Sequence, residues 1–398
     1  MRSSSLESAV DELDAALAAW TCQRVDGHDL WIGPDATGLS QVAVRWPIGY
    51  QDEQPGESGF AHLAEHTLFR GADGRTHREE RLLAAGGITN GRTNRQGTLF
   101  WSAAAPAARA DAWANEAHRY AEPVSASWVE HQAAVVRAEL VEKAAGSCDG
   151  YVRIRRAVEA AGPSAATADG FVQDALASGL EGFADFLERG YAASPTVSVS
   201  GWPAEEALAL LERHAFRGDV RVDEPIAHLQ EPGLGDQRGG QRDAVGDAEL
   251  VVVDPDLRIL ERVLLSATLR RVMAGIPATQ LRLHLWGDAA SETTRTPFLL
   301  MLESGEGSLE AGRQRLRTLD RAALSLAADE ALPDAAAQLR RLAAELAGPW
   351  AAATWSGLIE REDDRSFSAP RSAIGTPEEA LAAVTDVLIS AVETAEAA

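Results

Sequence analysis

The chain has 398 residues, enough for two or three domains with well-buried cores. Its 37 Lys and Arg against 60 Asp and Glu leave a net charge of −23, which argues against a nucleic-acid binder, because phosphates demand basic patches. No apolar stretch is long enough to span a membrane. Residues 1–20 carry Asp11, Glu12 and Asp14 and do not read as a signal peptide, and the two cysteines, Cys22 and Cys148, make no disulfide framework, so the expected setting is cytoplasmic.

Residues 5–20 read as an amphipathic helix. Short strands over 21–25 and 29–33 flank the Asp26-Gly27 turn, a strong hairpin signal. A third strand over 42–48 and a polar loop over 49–57 lead into His62-Leu63-Ala64-Glu65-His66. Two histidines four apart share one helix face, so both imidazoles can reach one metal ion. Glu65 lies beside His66, close to that metal without having to bind it. This is the H-x-x-E-H pattern. Zinc lowers the pKa of a bound water to roughly 7, and a nearby carboxylate can take its proton. The competing reading is a surface helix with two solvated histidines.

A second helix over 77–85 ends at Gly86-Gly87. Residues 88–93 read as extended, 94–97 as a turn and 98–102 as a strand. A helix over 127–145 carries Val135-Val136-Arg137-Ala138-Glu139-Leu140-Val141-Glu142. Glu139 and Glu142 are one turn apart and can point the same way. His131 precedes Glu139 by two turns on nearly the same face. A strand over 196–200 and a helix over 203–214 close the first half. Residues 217–247 shift to Gly, Asp, Gln and Arg and read as a linker between domains 1–216 and 248–398. The second half reads as a strand over 249–254, a helix over 257–274, strands over 281–285 and 297–303, and helices over 309–328, 334–347 and 378–394.

On these residues the chain resembles the pitrilysin and mitochondrial processing peptidase family of zinc metallopeptidases. The resemblance rests on His62 to His66, on the Val-Val-x-x-Glu-Leu-like stretch ending at Leu140, and on the hairpin from Gly86 to Trp101. It implies an α+β fold of two related domains, each a mostly antiparallel sheet packed by helices, forming half of a clamshell chamber. It implies Zn2+ held by His62, His66 and Glu139, with Glu142 the competitor for the third place, and Glu65 as general base. His131 is a candidate neighbour of the metal shell, and Gln132 stands near where the family often has a carboxylate. Asn90, Gly91 and Arg92 are the expected substrate-binding residues, on an exposed strand that pairs with an extended peptide. Gly91 departs from the Ala the family prefers, a change expected to loosen the strand.

The family also draws an Arg and a Tyr from its second domain or from a partner, within a Leu-Arg segment. Here Tyr50, Tyr120, Tyr151 and Tyr191 all precede the linker, and no Tyr follows Leu281-Arg282. The expectation is therefore the zinc-bearing half of a heterodimer with a homologous subunit that supplies the Arg/Tyr pair. Its substrates would be short or unfolded peptides, and leader removal in peptide maturation is a possible role. The alternative is a non-hydrolytic subunit that binds peptide or scaffolds a peptidase-like assembly, which would have no need of Glu65.

Overall fold

A computed structural model describes residues 2–25, 27–34, 38–69, 77–93, 97–121, 123–146, 176, 179–214, 216, 220–223, 226, 248–253, 258–273, 281–286, 298–304, 321–348, 351–358 and 376–397. The first sheet contains β1 (Thr21–Val25), β2 (His28–Ile32), β3 (Ser40–Trp46), β4 (Ile88–Thr93), β5 (Thr98–Ala104) and β6 (Thr196–Ser200). Their order is β1-β2-β6-β3-β5-β4, antiparallel except for the β2–β6 pair. β4 therefore lies at an edge. The fold is α+β.

Period-two alternation assigns each face of this sheet a different core. From β3, Val42, Val44 and Trp46 enter one core with Phe100 and Ala104 of β5. Helices α2 (Phe60–Phe69), α4 (Arg109–His118), α5 (Ala126–Gly146), α6 (Phe183–Tyr191) and α7 (Ala204–Arg213) contribute to that core. Ala43 and Leu99 face the other way, into a core built by α1 (Arg2–Ala18), α8 (Ile259–Met273), α9 (Arg321–Leu346), α10 (Ala351–Leu358) and α11 (Pro377–Ala397). Helix α3 (His77–Ala84) runs between α2 and β4 in the chain. A second sheet, β7 (Ala248–Val253), β8 (Leu281–Trp286) and β9 (Phe298–Ser304), has the antiparallel order β7-β9-β8.

The two halves interlock. Leu6, Val10, Leu13 and Leu17 of α1 belong to the core of the second half, and Arg340 of α9 donates to the Ser5 carbonyl at 2.9 Å. Conversely, α10 covers the back of the first sheet. Gln41 Oε1 accepts the Ala352 N–H at 2.7 Å, and Trp355 stacks on Trp20 with ring centroids 4.8 Å apart. Phe216 and Val220 are buried in the first core, and most of the stretch 217–247 lies outside the described residues. The helices expected over 309–328 and 334–347 prove to be one helix from Arg321 onward, running through Pro333, while residues 309–320 lie outside the described residues. A proline inside a helix costs about 3 kcal/mol. Burial of Leu332, Ala335, Ala336 and Leu339 on α9 offsets that cost. Among the described residues no helix is long and apolar enough to cross a membrane.

Candidate metal centre

The site grows from α2. Phe60, Leu63, Ala64, Thr67 and Leu68 form its buried stripe, leaving His62, Glu65 and His66 on the half-buried side. Gly59, at φ +87°, makes the turn into the helix in a conformation that L side chains rarely adopt. Both ends of α2 are held. Glu53 accepts N–H groups from Gly59 at 3.2 Å and Ala61 at 2.9 Å, satisfying donors that a helix start leaves open. At the other end, the Trp128 indole donates to the Thr67 carbonyl at 3.0 Å, and the Arg119 guanidinium donates to the Phe69 carbonyl.

Helix α5 lies against α2 through Val129, Ala133 and Val136 and brings Glu139 across. Glu139 Oε2 is 3.2 Å from His66 Nε2 and 3.8 Å from His62 Nε2. The three donor atoms all fall within 4.8 Å of one another. A tetrahedral zinc with bonds of about 2.0–2.1 Å places its donors about 3.3 Å apart. The His66–Glu139 spacing already fits, and the His62–Glu139 spacing exceeds it by about half an ångström. The donor set of two imidazoles and a carboxylate is that of a zinc site with an open fourth position. The side chains keep 13%, 21% and 33% exposure for His62, His66 and Glu139, so the centre opens to solvent.

Glu65 packs against the edge strand. Burial pushes its carboxyl up from the usual range; hydrogen bonds from the Thr93 hydroxyl and backbone N–H and the nearby His66 oppose this, while Glu139 adds to it. A Cβ at Gly91 would lie 3.1 Å from Glu65 Oε1 and 3.2 Å from Phe100 Cδ1. The missing methyl thus has a cause other than a loosened strand: Glu65 lies against the space it would take. The Gly91 N–H is held by Asn90 Oδ1 at 2.9 Å, and the Thr93 N–H by Glu65. Alternate amides of β4 therefore face the open edge, away from β5, where an extended chain could pair. Ile88, Asn90 and Arg92 are exposed along this strand.

Other expected residues stand further off. His131 is exposed and stacks on Trp128, with centroids 5.3 Å apart, and through that indole it adjoins the end of α2. Gln132 is buried. Glu142 lies one turn beyond Glu139 on α5, with its side chain outside the described residues. So do the side chain of Arg282 and all of Cys148 and Tyr151. Sequence reasoning missed Glu53, which looked like part of a polar loop, and the Glu116–Arg119 pair. An i,i+3 acid–base pair is common on helix surfaces, and nothing in its spacing shows that this one is buried.

No family model matches the chain, and a search of curated proteins finds no match. Solved structures do match. Pitrilysin superposes with a TM-score of 0.54 at 16% identity, over 95% of this chain and 43% of pitrilysin. The inactive domain of an M16 peptidase from Pseudomonas fluorescens superposes with a TM-score of 0.54 at 13% identity, over 92% of this chain and 95% of that one. The fold is of the pitrilysin type. This chain spans less than half the length of pitrilysin, and the second match is an inactive domain. Fold alone therefore does not decide activity, and function must be argued from the site.

Proposed function

We propose that this chain is the zinc-bearing subunit of an endopeptidase that cleaves short or unfolded peptides, acting with a homologous subunit that supplies an Arg and a Tyr. The observation that carries this reading is the convergence of His62, His66 and Glu139 beside a desolvated Glu65 that abuts the open strand β4. His62, His66 and Glu139 would hold the metal. A zinc ion bound there supplies Lewis acidity and lowers the pKa of its water. Glu65 takes a proton from the attacking water and returns it to the departing amine, so that amide and water become acid and amine. The edge of β4 at Gly91 orients an extended peptide through main-chain hydrogen bonds, once the Asn90 side chain releases the Gly91 N–H.

The case for a partner is one of missing parts. Tyr120 and Tyr191 are fully buried under Trp46, so neither can grip a developing oxyanion at the site; Tyr50 is partly buried against the first core, and Tyr151 lies outside the described residues. No Tyr lies in the second half. Loss of an oxyanion donor costs on the order of a hundredfold in rate. A role in peptide maturation, such as leader removal, and a cytoplasmic setting fit this reading, the latter with the free thiol of Cys22.

The test is elemental analysis followed by peptide cleavage. The wild-type chain should carry about one zinc. Alone it should cleave an unstructured fluorogenic peptide library weakly, and mixing with an Arg/Tyr-bearing homologous subunit should give a large gain. Glu65→Gln should keep zinc and abolish most of that turnover. Absence of zinc, or undiminished cleavage by Glu65→Gln, overturns the reading. Robust cleavage by the isolated chain overturns the need for a partner.

A further inference from the structure

Beneath strand β4 lies a buried polar cluster that the peptidase reading does not use. Glu116, Asn115, Arg119 and Ser102 are each at most 5% exposed. Arg119 Nε and Nη2 donate to the two oxygens of Glu116 at 2.9 and 3.1 Å. Nη2 also donates to Thr89 Oγ1 of β4 at 2.5 Å, and Nη1 donates to the carbonyl of Phe69, the last residue of α2. The guanidinium lies over the rings of Phe69 and Phe100, 4.8 and 5.3 Å from their centroids. Phe100 in turn faces Gly91 across the β4–β5 ladder.

We propose that Arg119, fixed by Glu116, is a positioning residue that ties the end of the metal-site helix to the substrate edge through Thr89, and so sets where a bound peptide lies relative to the metal. This rests on the peptidase reading above. Chain connectivity does not supply the tie, since β4 pairs with one strand only and eighteen residues separate Phe69 from Ile88; Thr93 meets Glu65 of α2 at the far end of β4, and Arg119 serves the Thr89 end. The planar fork of an arginine can hold a carboxylate, a hydroxyl and a carbonyl at once, which the point charge of a lysine does less well. A buried ion pair is weak evidence for stability, because well-packed apolar residues of the same volume often serve as well or better. Its use here is to make two elements share one hydrogen-bonded anchor.

Removing Arg119 would strand the Glu116 charge and endanger the fold, so the discriminating change is at Thr89. Thr89→Val keeps volume and strand propensity and leaves the ion pair and the α2 carbonyl contact in place, while cutting the Thr89 end of β4 from the cluster: the hydroxyl's contacts with Arg119, Asn115 and Glu116 are all lost. Thr89→Ser restores the hydroxyl. In the full chain, Thr89→Val should retain wild-type zinc and show faster amide exchange over residues 89–93, and Thr89→Ser should match wild type in both. In the zinc-loaded assembly, Thr89→Val should lower kcat about tenfold or more with KM changed less than about threefold, since an ångström of misplacement costs on the order of a hundredfold. Unchanged exchange in Thr89→Val, loss of its zinc, a wild-type kcat, or equal damage from Thr89→Ser would overturn the positioning role. Absence of cleavage by the wild-type assembly would count against the peptidase reading alone, and the exchange comparison decides the positioning role without it.

Discussion

Gly91→Ala tests how closely Glu65 is held against the edge strand. The added Cβ would sit 3.1 Å from Glu65 Oε1, 3.3 Å from its Cγ and 3.2 Å from Phe100 Cδ1, where ordinary contact begins at 3.4 Å. Something must shift by a few tenths of an ångström. Phe100 is fully buried and covered by the Arg119 guanidinium, so Glu65 is the side chain free to give way. In moving it stretches the hydrogen bonds it accepts from Thr93. Catalytic groups need to be held within about half an ångström of productive geometry, so kcat should fall about tenfold, or about 1.4 kcal/mol of barrier. Stability should change little, because the about 0.4–1 kcal/mol that an unstrained Gly→Ala change gains by restricting the unfolded chain is offset by the close contacts of the added Cβ. The assay pairs peptide turnover in the assembled enzyme with thermal unfolding and zinc content of the subunit. Turnover within about twofold of wild type, with zinc retained, would show that Glu65 yields without consequence and refute the reasoning.

Glu139→Gln should weaken zinc binding far more than Glu142→Gln, because the Glu139 carboxylate already lies 3.2 Å from His66 Nε2; metal titration of the two variants decides it. His66→Ala should remove tight binding, and a full complement of zinc in that variant would dismiss the site. Glu53 has its carboxyl raised to about 7, chiefly by burial. The folded state therefore holds that proton more firmly than the unfolded chain, whose carboxyl titrates near 4.5. Its contribution to stability is complete below that value and is lost as pH rises through about 7. Relative to Glu53→Gln, the wild-type melting temperature should fall between those limits, and parallel curves across that window would contradict the shift.

Where the fold was legible, the signal was short-range. The Asp26-Gly27 turn fixed a two-strand register, Gly86-Gly87 stopped α3, and β6 lies over the residues its β-branched pattern indicated. Helices α4, α6 and α10 were not read at all. Helix α6 does carry a stripe, Phe183, Phe186, Leu187, Gly190 and Tyr191, but is only nine residues long, while the Ala-rich sequences of α4 and α10 give no clean apolar stripe, and each takes its place from a partner in space. The N-terminus of α10 is the clearest case, since Gln41, more than three hundred residues earlier, accepts its first N–H groups. Pro333 misled for the converse reason: local propensity said stop, and a buried face on both sides of it kept α9 continuous.

The candidate site divides along the same line. His62, Glu65 and His66 could be read because helical geometry alone puts them side by side. Glu139 needed a resemblance to single it out, since only the packing of α5 on α2 brings it to them. The groups that hold these residues in place were invisible, because each works through a backbone atom of α2 or an edge of β4. Glu53 holds amides, Trp128 and Arg119 hold carbonyls, and Thr93 meets Glu65 partly through its own N–H. A backbone contact leaves no residue-type signature at the position contacted. The donor set of the candidate site is therefore readable from a few side chains, while its placement is spread over residues whose identity shows nothing until the chain is folded. Gly91 joins the two classes. In sequence it is a small residue on an edge strand, and in the fold it marks the place where Glu65 and Phe100 meet the backbone on which a peptide would lie.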